Sequence, residues 1–517
     1  MPSDWIRQEI KNPVGVNKSL DPTDVPDNVW NDVINVSFKG GKVSKTQGYA
    51  QTFGTPSGDP YYLLTVIRSG VLFWVYPTLD AIYRTEGSSH VDISRTTGGA
   101  YTGTPVDNWN GGVLNSVPVL NNGVNVPQVW EYSSSTFENA PGWPVGLQAK
   151  IIRPYKNYLI AMNLTVGSVL EPVSIQWSNA SDPGFAPTSW ALNDTTSESG
   201  KAFLADTPGA IVDGRPLRDM FIIYKEDSVY SMRYVGGVFV WQFRQLFNDV
   251  GMLSQECVAE FEGKHFVVTA GDVYVHNGVN KQSVIDNRMR EYLFSSIDKA
   301  YSTRTRVVAD HGRTEMWIYF VGTNSTSGLC DTALIWNWTE DTWTIRDIPE
   351  VAHISYGIVD PQTSDNWQDD PLSWNSDTTV WNDRNYNPSK LSILMASPSD
   401  TKMYLVGDVS TFDGTTFTSR IEKNSMYFGD DHNFKSISSV TPHFTGDGVV
   451  TAYVGYQKLK SDPITWKGPF TFNIGVDYKI DCKVVGRYIS FKCEIDSDGS
   501  WSLNGYTLEG NATIGSR

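Results

Sequence analysis

DMFIIYKEDSVYSMRYVG, residues 219–236, and LIWNWTEDTWTIRDIP, residues 334–349, read the same way. Each is an apolar run, an acidic bend (225–227 in one, Glu340 and Asp341 in the other), and a second run resumed by Val229 or Trp343. β-Branched and aromatic side chains suit a pleated, half-buried surface, and Asp and Ser hydrogen-bond their own backbone in turns. Both stretches therefore predict β-hairpins. Looser copies lie on either side: LFWVYPTLDAIYRTEG (72–87), KIIRPYKNYLIAMN (150–163), VVTAGDVYVHNG (267–278) and KMYLVGDVSTFDG (402–414), the last turning near Asp408. That makes about six hairpin-centred units between residues 60 and 420, spaced more widely than the roughly 40–50 residues of regular propeller repeats. Long insertions between strands follow. Radial repetition of four-stranded units buries their faces on one another and leaves little free edge. An all-β fold built on a β-propeller of about six blades is the expected architecture, with stacked sandwiches as the alternative.

Outside 60–419 the pattern changes. Residues 1–59 are turn-rich with short strands such as DVINVSFKGGKV (32–43), and read as an arm or platform. Residues 420–517 hold about seven alternating strands with Gly-Asp and Asp-Gly turns, and read as a β-sandwich-like domain. One helix is expected, in VIDNRMREYLFSSIDKA (284–300), where Ile285, Met289, Tyr292 and Leu293 share a face. Within the body, residues 355–390 form an insertion carrying Trp367, Trp374 and Trp381 among Asn, Asp, Ser and Pro371. Their seven-residue spacing fits neither a helix of such composition nor one face of a strand. It is expected to be a loop that packs back on the body or serves as an interaction element.

Composition narrows the function. The 517 residues carry 18 Trp, 25 Tyr and 22 Phe, and a net charge of −16. Residues 420–517 contain 11 acidic and 11 basic side chains, so the acidic excess lies in 1–419. A nucleic-acid binder needs Lys and Arg stripes that displace counterions from phosphates, and this balance argues against one. It does not argue against a surface past which DNA slides without sticking. No apolar run approaches the ~18–20 residues of a membrane helix, and the N-terminus has no secretory-signal pattern. Cys257, Cys330, Cys482 and Cys493 are too scattered for a disulfide framework or zinc site. Together these features suit synthesis in a reducing cytoplasm.

Catalytic patterns are missing. The seven histidines make no HxxxH or HExxH pattern, and neither GxSxG nor GxxxxGK[ST] occurs. DSDG (496–499), FGDD (428–431) and TGDG (445–448) look like fragments of calcium loops, but none has the full ligand spacing. No catalytic residue, cofactor or metal ligand is expected.

The stretch DNWNGGVLNSVPVLNNGVNVPQVW (107–130), with PDNVWNDVINVSFKGGKVSKTQGYAQTF (26–53), resembles the tail nozzle (tail hub, or stabilisation) proteins of short-tailed bacteriophages. The matching positions are Trp109, Gly111, Pro118, Asn121, Asn122, Gly123, Pro127 and Trp130. The likeness continues loosely through SIQWSNASDPGFAPTSW (174–190) and 217–254 to the C-terminal strands. It implies a structural virion protein, assembled in the host cytoplasm, with a propeller-bearing subunit. Six copies would form a homohexamer ring below a dodecameric adaptor ring, extend the DNA exit channel without binding DNA specifically, and anchor tail fibres or spikes. The alternatives are a glycan-binding or glycan-cleaving propeller and a general interaction propeller.

Overall fold

The computed structural model describes residues 5–68, 71–192, 196–237, 239–359, 391–407 and 409–513. The hairpin at 219–236 forms as expected, with Met220–Lys225 antiparallel to Val229–Tyr234. All six residues of Met220–Lys225 are buried, which means that both faces of the strand are covered. Ile222 and Tyr224 join one core cluster with Phe266, Val267 and Tyr274, while Phe221 and Ile223 join another with Ile151, Ile160 and Met162. Successive side chains of a strand point to opposite faces. The strand therefore lies in a sheet packed between two others.

That pattern runs through the chain. Among the described residues there are seven four-stranded antiparallel sheets. Their first strands are Leu64–Arg68, Asn110–Leu114, Leu147–Tyr155, Ile211–Leu217, Val258–Phe261, Arg306–Asp310 and His353–Ile358. The first sheet packs on the second through Val66, Val75, Leu120 and Trp130, and the second on the third through Val119, Val129, Ile152 and Ala161. Phe266 of the fifth stacks on Trp336 of the sixth at 5.5 Å. Trp317 and Tyr319 of the sixth pack with Ile393 and Met395 of the seventh. The seventh returns to the first, where Leu394 and Met403 meet Trp74 and Tyr76. Every sheet has a neighbour on each face, so the all-β chain is propeller-like.

Seven sheets stand where the spacing of hairpins suggested six units. The second was missed because two of its strands, Gln128–Val129 and Glu138–Asn139, are too short to show a period. The stretch 402–414 is not a hairpin either; it supplies one strand, Lys402–Val406, and Asp408 lies outside the described residues. On one side this strand pairs with Leu391–Ser397, and on the other with Tyr49–Gln51 from near the start of the chain.

Two larger sheets complete the molecule. One holds Phe434–Gly446, Ile480–Gly486 and Trp501–Thr513 together with Trp5–Lys11, Val36–Lys39 and Lys42–Lys45. The other holds Thr418–Met426, Val449–Gln457, Thr465–Asn473 and Tyr488–Asp496 together with Asp32–Ile34. They pack face to face, with the Phe491 and Tyr506 ring centroids 4.7 Å apart. Residues expected as an arm are thus woven into both bodies. Asn35, at φ 57°, turns the chain from one large sheet to the other, a left-handed corner that Asn tolerates well. Its N–H donates to the Ile345 carbonyl at 2.9 Å and its side-chain amide to Asp347 at 2.8 Å, which docks this body on the sixth sheet. The helix is Asp286–Ser296, with Met289 and Leu293 fully buried.

Candidate functional site

The first strands of the seven sheets, with the turns that lead into them, meet in one buried polar network. Arg153 of the third sheet donates through Nε and Nη2 to the two carboxylate oxygens of Asp213 of the fourth, at 2.8 and 2.7 Å. Its Nη1 donates to the Gly111 carbonyl of the second sheet at 3.1 Å, and its Nη2 lies 3.4 Å from Glu256, just ahead of the fifth. Arg306 of the sixth sheet stands 3.5 Å from Glu256 Oε2. His353 of the seventh donates its Nε2–H to that oxygen at 3.1 Å. Its Nδ1 accepts the Leu63 N–H at 3.1 Å, at the entrance to the first sheet. Groups from all seven sheets can meet only where the first strands surround a common line.

The network sets guanidiniums against carboxylates. A backbone N–H can only donate, so His353 Nδ1 carries no proton and the ring is neutral. Burial lowers its pKa in the same direction. Burial also opposes ionisation of Glu256, yet the His353 bond and the Arg306 and Arg153 guanidiniums hold that carboxyl well below its usual range. For Arg153 burial works against the charge, and the Asp213 carboxylate outweighs it. Asp213 Oδ1 accepts from Arg153 and Gly214 N–H, and Oδ2 from Arg153 and Glu256 N–H. All four lone-pair sites are occupied, so this carboxylate is a structural anchor with nothing left for a substrate.

One mouth of the axis is crossed by the loop 104–109, which two arginines clamp. Arg306 Nη2 donates to Asn108 Oδ1 at 3.0 Å and Arg304 Nη2 to the Pro105 carbonyl at 3.2 Å. Beside the loop opens a cleft of about 240 Å³, walled by Asp107, Asn108, Gln148, Lys150, Asn163, Thr165 and Gln255, with Val106 and Leu170 at its edge. Asn122 and Gly123 complete the wall from the second sheet.

The residues singled out by the tail-nozzle resemblance all fall in the second sheet or at its borders. Trp109 is buried and donates to the Thr78 carbonyl at 2.9 Å. Gly111 has φ 153°, and a Cβ there would sit 1.9 Å from the Val119 carbonyl oxygen; the same residue gives its own carbonyl to Arg153. Pro118 pairs with Val113, and Asn121 donates to the Ala149 carbonyl at 2.9 Å. Asn122 Oδ1 accepts from the N–H groups of Val124 and Asn125, and Gly123 takes φ 75° in that turn. The Pro127 carbonyl accepts the Ala140 N–H at 2.7 Å. Trp130 is buried beneath the Arg68 guanidinium, 4.2 Å from the ring centroid. This motif is the local code for one sheet, and it reaches the cleft through Asn122 and Gly123. Trp367, Trp374 and Trp381 lie outside the described residues.

His265 and His276 pair directly across one hairpin. Tyr224 joins them from the neighbouring sheet: its hydroxyl lies 2.7 Å from His265 Nδ1 and 2.6 Å from His276 Nε2. His276 Nδ1 accepts the Gly278 N–H, so Nε2 donates to the tyrosine. Tyr224 in turn donates to His265 Nδ1, whose Nε2–H is spent on the Pro216 carbonyl. Burial lowers the two pKa values to about 4 and about 3. The four cysteines are free and buried. Asp430, in one of the calcium-like turns, accepts backbone N–H groups of His432 and Asn433. Among the described residues no group of three or more His, Cys, Asp and Glu is placed to hold a metal.

No family model and no curated protein matches the chain. Among solved structures it is similar to the extracellular domain of a putative hybrid two-component system from B. thetaiotaomicron, at 9% identity and a TM-score of 0.36. The match covers 70% of this chain and 45% of the other, so it spans less than half of that protein. A likeness this slight carries no weight for function.

Proposed function

We propose that this chain is a structural subunit of a short-tailed phage tail, a seven-bladed propeller carrying a two-sheet sandwich, which assembles with copies of itself into a conduit for DNA. The observation that carries the reading is the filled axis. A buried polar network built from all seven sheets occupies the line that a propeller-based enzyme or channel would use, so any conduit is formed between copies. The charge balance supports this: the acidic excess lies in residues 1–419, and a negative lumen repels DNA and lets it slide. A closed ring needs heterologous contacts, for which exposed Phe239, Tyr478 and Val476 are available anchors. The resemblance around Trp109–Trp130 supplies the identity of the assembly.

Electron microscopy of the purified chain, alone and mixed with a phage adaptor ring, tests the proposal. Six-fold rings with Asp and Glu of residues 1–419 toward the lumen are expected. A chain that stays monomeric beside the adaptor and releases reducing sugar from glycans would overturn it, as would a basic lumen.

A further inference from the structure

We propose that Asn277 is a self-modifying residue, whose side-chain amide is attacked by the Gly278 backbone nitrogen with the His276 imidazole as base and ends as aspartate or isoaspartate. A glycine after an asparagine opens this route, because no Cβ shields the attacking nitrogen. The chain has four such pairs, beginning at Asn110, Asn122, Asn277 and Asn504. Asn110 and Asn504 belong to strands. Asn122 and Asn277 each open the same run, Asn-Gly-Val-Asn, folded into turns of the same build. Asn277 Oδ1 accepts the N–H groups of Val279 and Asn280 at 3.0 and 2.9 Å. Asn122 Oδ1 accepts those of Val124 and Asn125 at 3.2 and 2.9 Å. Two donors on a carbonyl oxygen draw charge from its carbon and stabilise the oxyanion that attack creates.

The two turns differ in the residue that precedes them. His276 Nδ1 accepts the Gly278 N–H at 3.2 Å, within the reach of a general base. That hydrogen bond lies in the peptide plane, whereas the nitrogen attacks along the perpendicular, so base and electrophile do not compete. Tyr224 holds Nε2–H and with it the accepting tautomer. In the other turn Asn121 stands in this place; its Nδ2 donates to the Ala149 carbonyl and its Oδ1 accepts nothing. In the reaction the bond from Gly278 N to Asn277 Cγ forms and the Cγ–Nδ2 bond breaks. Nδ2 leaves as ammonia, carrying the proton taken from Gly278. Water then opens the succinimide at either carbonyl, and with Val279 77% exposed the turn is open to solvent. The isoaspartate product adds a methylene to the backbone between Val273–His276 and Lys281–Ser283, the outer strands of the fifth sheet. Burial lowers the His276 pKa to about 3, which leaves the ring unprotonated but a weak base. The gain should therefore be about tenfold, short of the ~100–10,000-fold of a base matched to the working pH. The reaction needs one chain only and is independent of ring assembly.

Peptide mapping by mass spectrometry tests the proposal, on the full chain held at neutral pH and 37 °C, folded or in urea. Conversion is read separately at Asn122 and Asn277, and isoaspartate by its methyltransferase. Asn277 should convert about tenfold faster in the folded chain than in urea, while Asn122, only 4% exposed and without a base, should convert more slowly folded than unfolded. His276→Gln, its fold checked by circular dichroism, should lower the Asn277 rate about tenfold and leave Asn122 unchanged. Where that variant does not fold, the comparison of folded chain with urea decides. An Asn277 rate no higher folded than unfolded overturns the proposal. So does an equal acceleration at Asn122, and so does an unchanged Asn277 rate in folded His276→Gln.

Discussion

At the scale of single residues, the buried histidines make stability depend on pH in a definite direction. An unfolded histidine titrates near 6.5, whereas native His265 and His276 titrate near 4 and 3. Below pH 6.5 the unfolded chain binds protons that the native chain refuses. Stability should therefore be full above that pH and fall by up to ~1.4 kcal/mol per unit per histidine on the way to pH 4. Urea unfolding at pH 7.5, 6 and 5 measures it, and a flat profile would contradict the Tyr224-centred chain. Tyr224→Phe strands a ring nitrogen at each end, which costs about 1–3 kcal/mol apiece. Gly111→Ala forces a Cβ against the Val119 carbonyl, and a loss of about 3 kcal/mol is expected in the same assay. Asp213→Ala leaves Arg153 buried without its partner and should cost about 3–5 kcal/mol, whereas the double replacement Arg153→Met, Asp213→Ala should cost less. Little of this was legible in the sequence. Tyr224 reaches the two histidines across a sheet interface that no local pattern marks. The axial network draws single residues from sheets tens of positions apart, so no motif contains it.

At the scale of elements, most hairpins were legible where apolar runs flanked a polar turn, 402–414 being the exception, and the helix where Met289 and Leu293 kept a 3.6-residue spacing. Both signals are local. The strand Tyr49–Gln51 was not legible, because three residues show no period and its partner Lys402–Val406 lies about 350 residues away. Its role yields a prediction. Removing residues 1–55 exposes the edge of Lys402–Val406 and takes all the N-terminal strands out of the two larger sheets. Exposed edges template association, so the truncated chain should run as aggregate on size exclusion. Supplying residues 1–55 as a separate peptide during refolding should restore part of the monodisperse species.

At the scale of the molecule, the fourth to sixth sheets and the two larger sheets share one continuous apolar cluster, running from Tyr224 through Trp343 to Val36 and Leu508. Scanning calorimetry should therefore give one cooperative transition, and two well-separated ones would contradict that continuity. The same weaving sets a timetable for synthesis. The ribosome delivers residues 49–51 early but their partners 402–406 only some 350 residues later, an interval on the order of tens of seconds at ~5–20 residues per second. Trp5–Lys11 waits longer still, for Trp501–Thr513. Until residues 402–406 emerge the nascent chain carries an unclosed ring, and until 501–513 emerge it carries an unmatched N-terminal strand. Vectorial synthesis thus closes the ring before the larger sheets are complete, and a chain stalled before residue 400 cannot complete the seventh sheet.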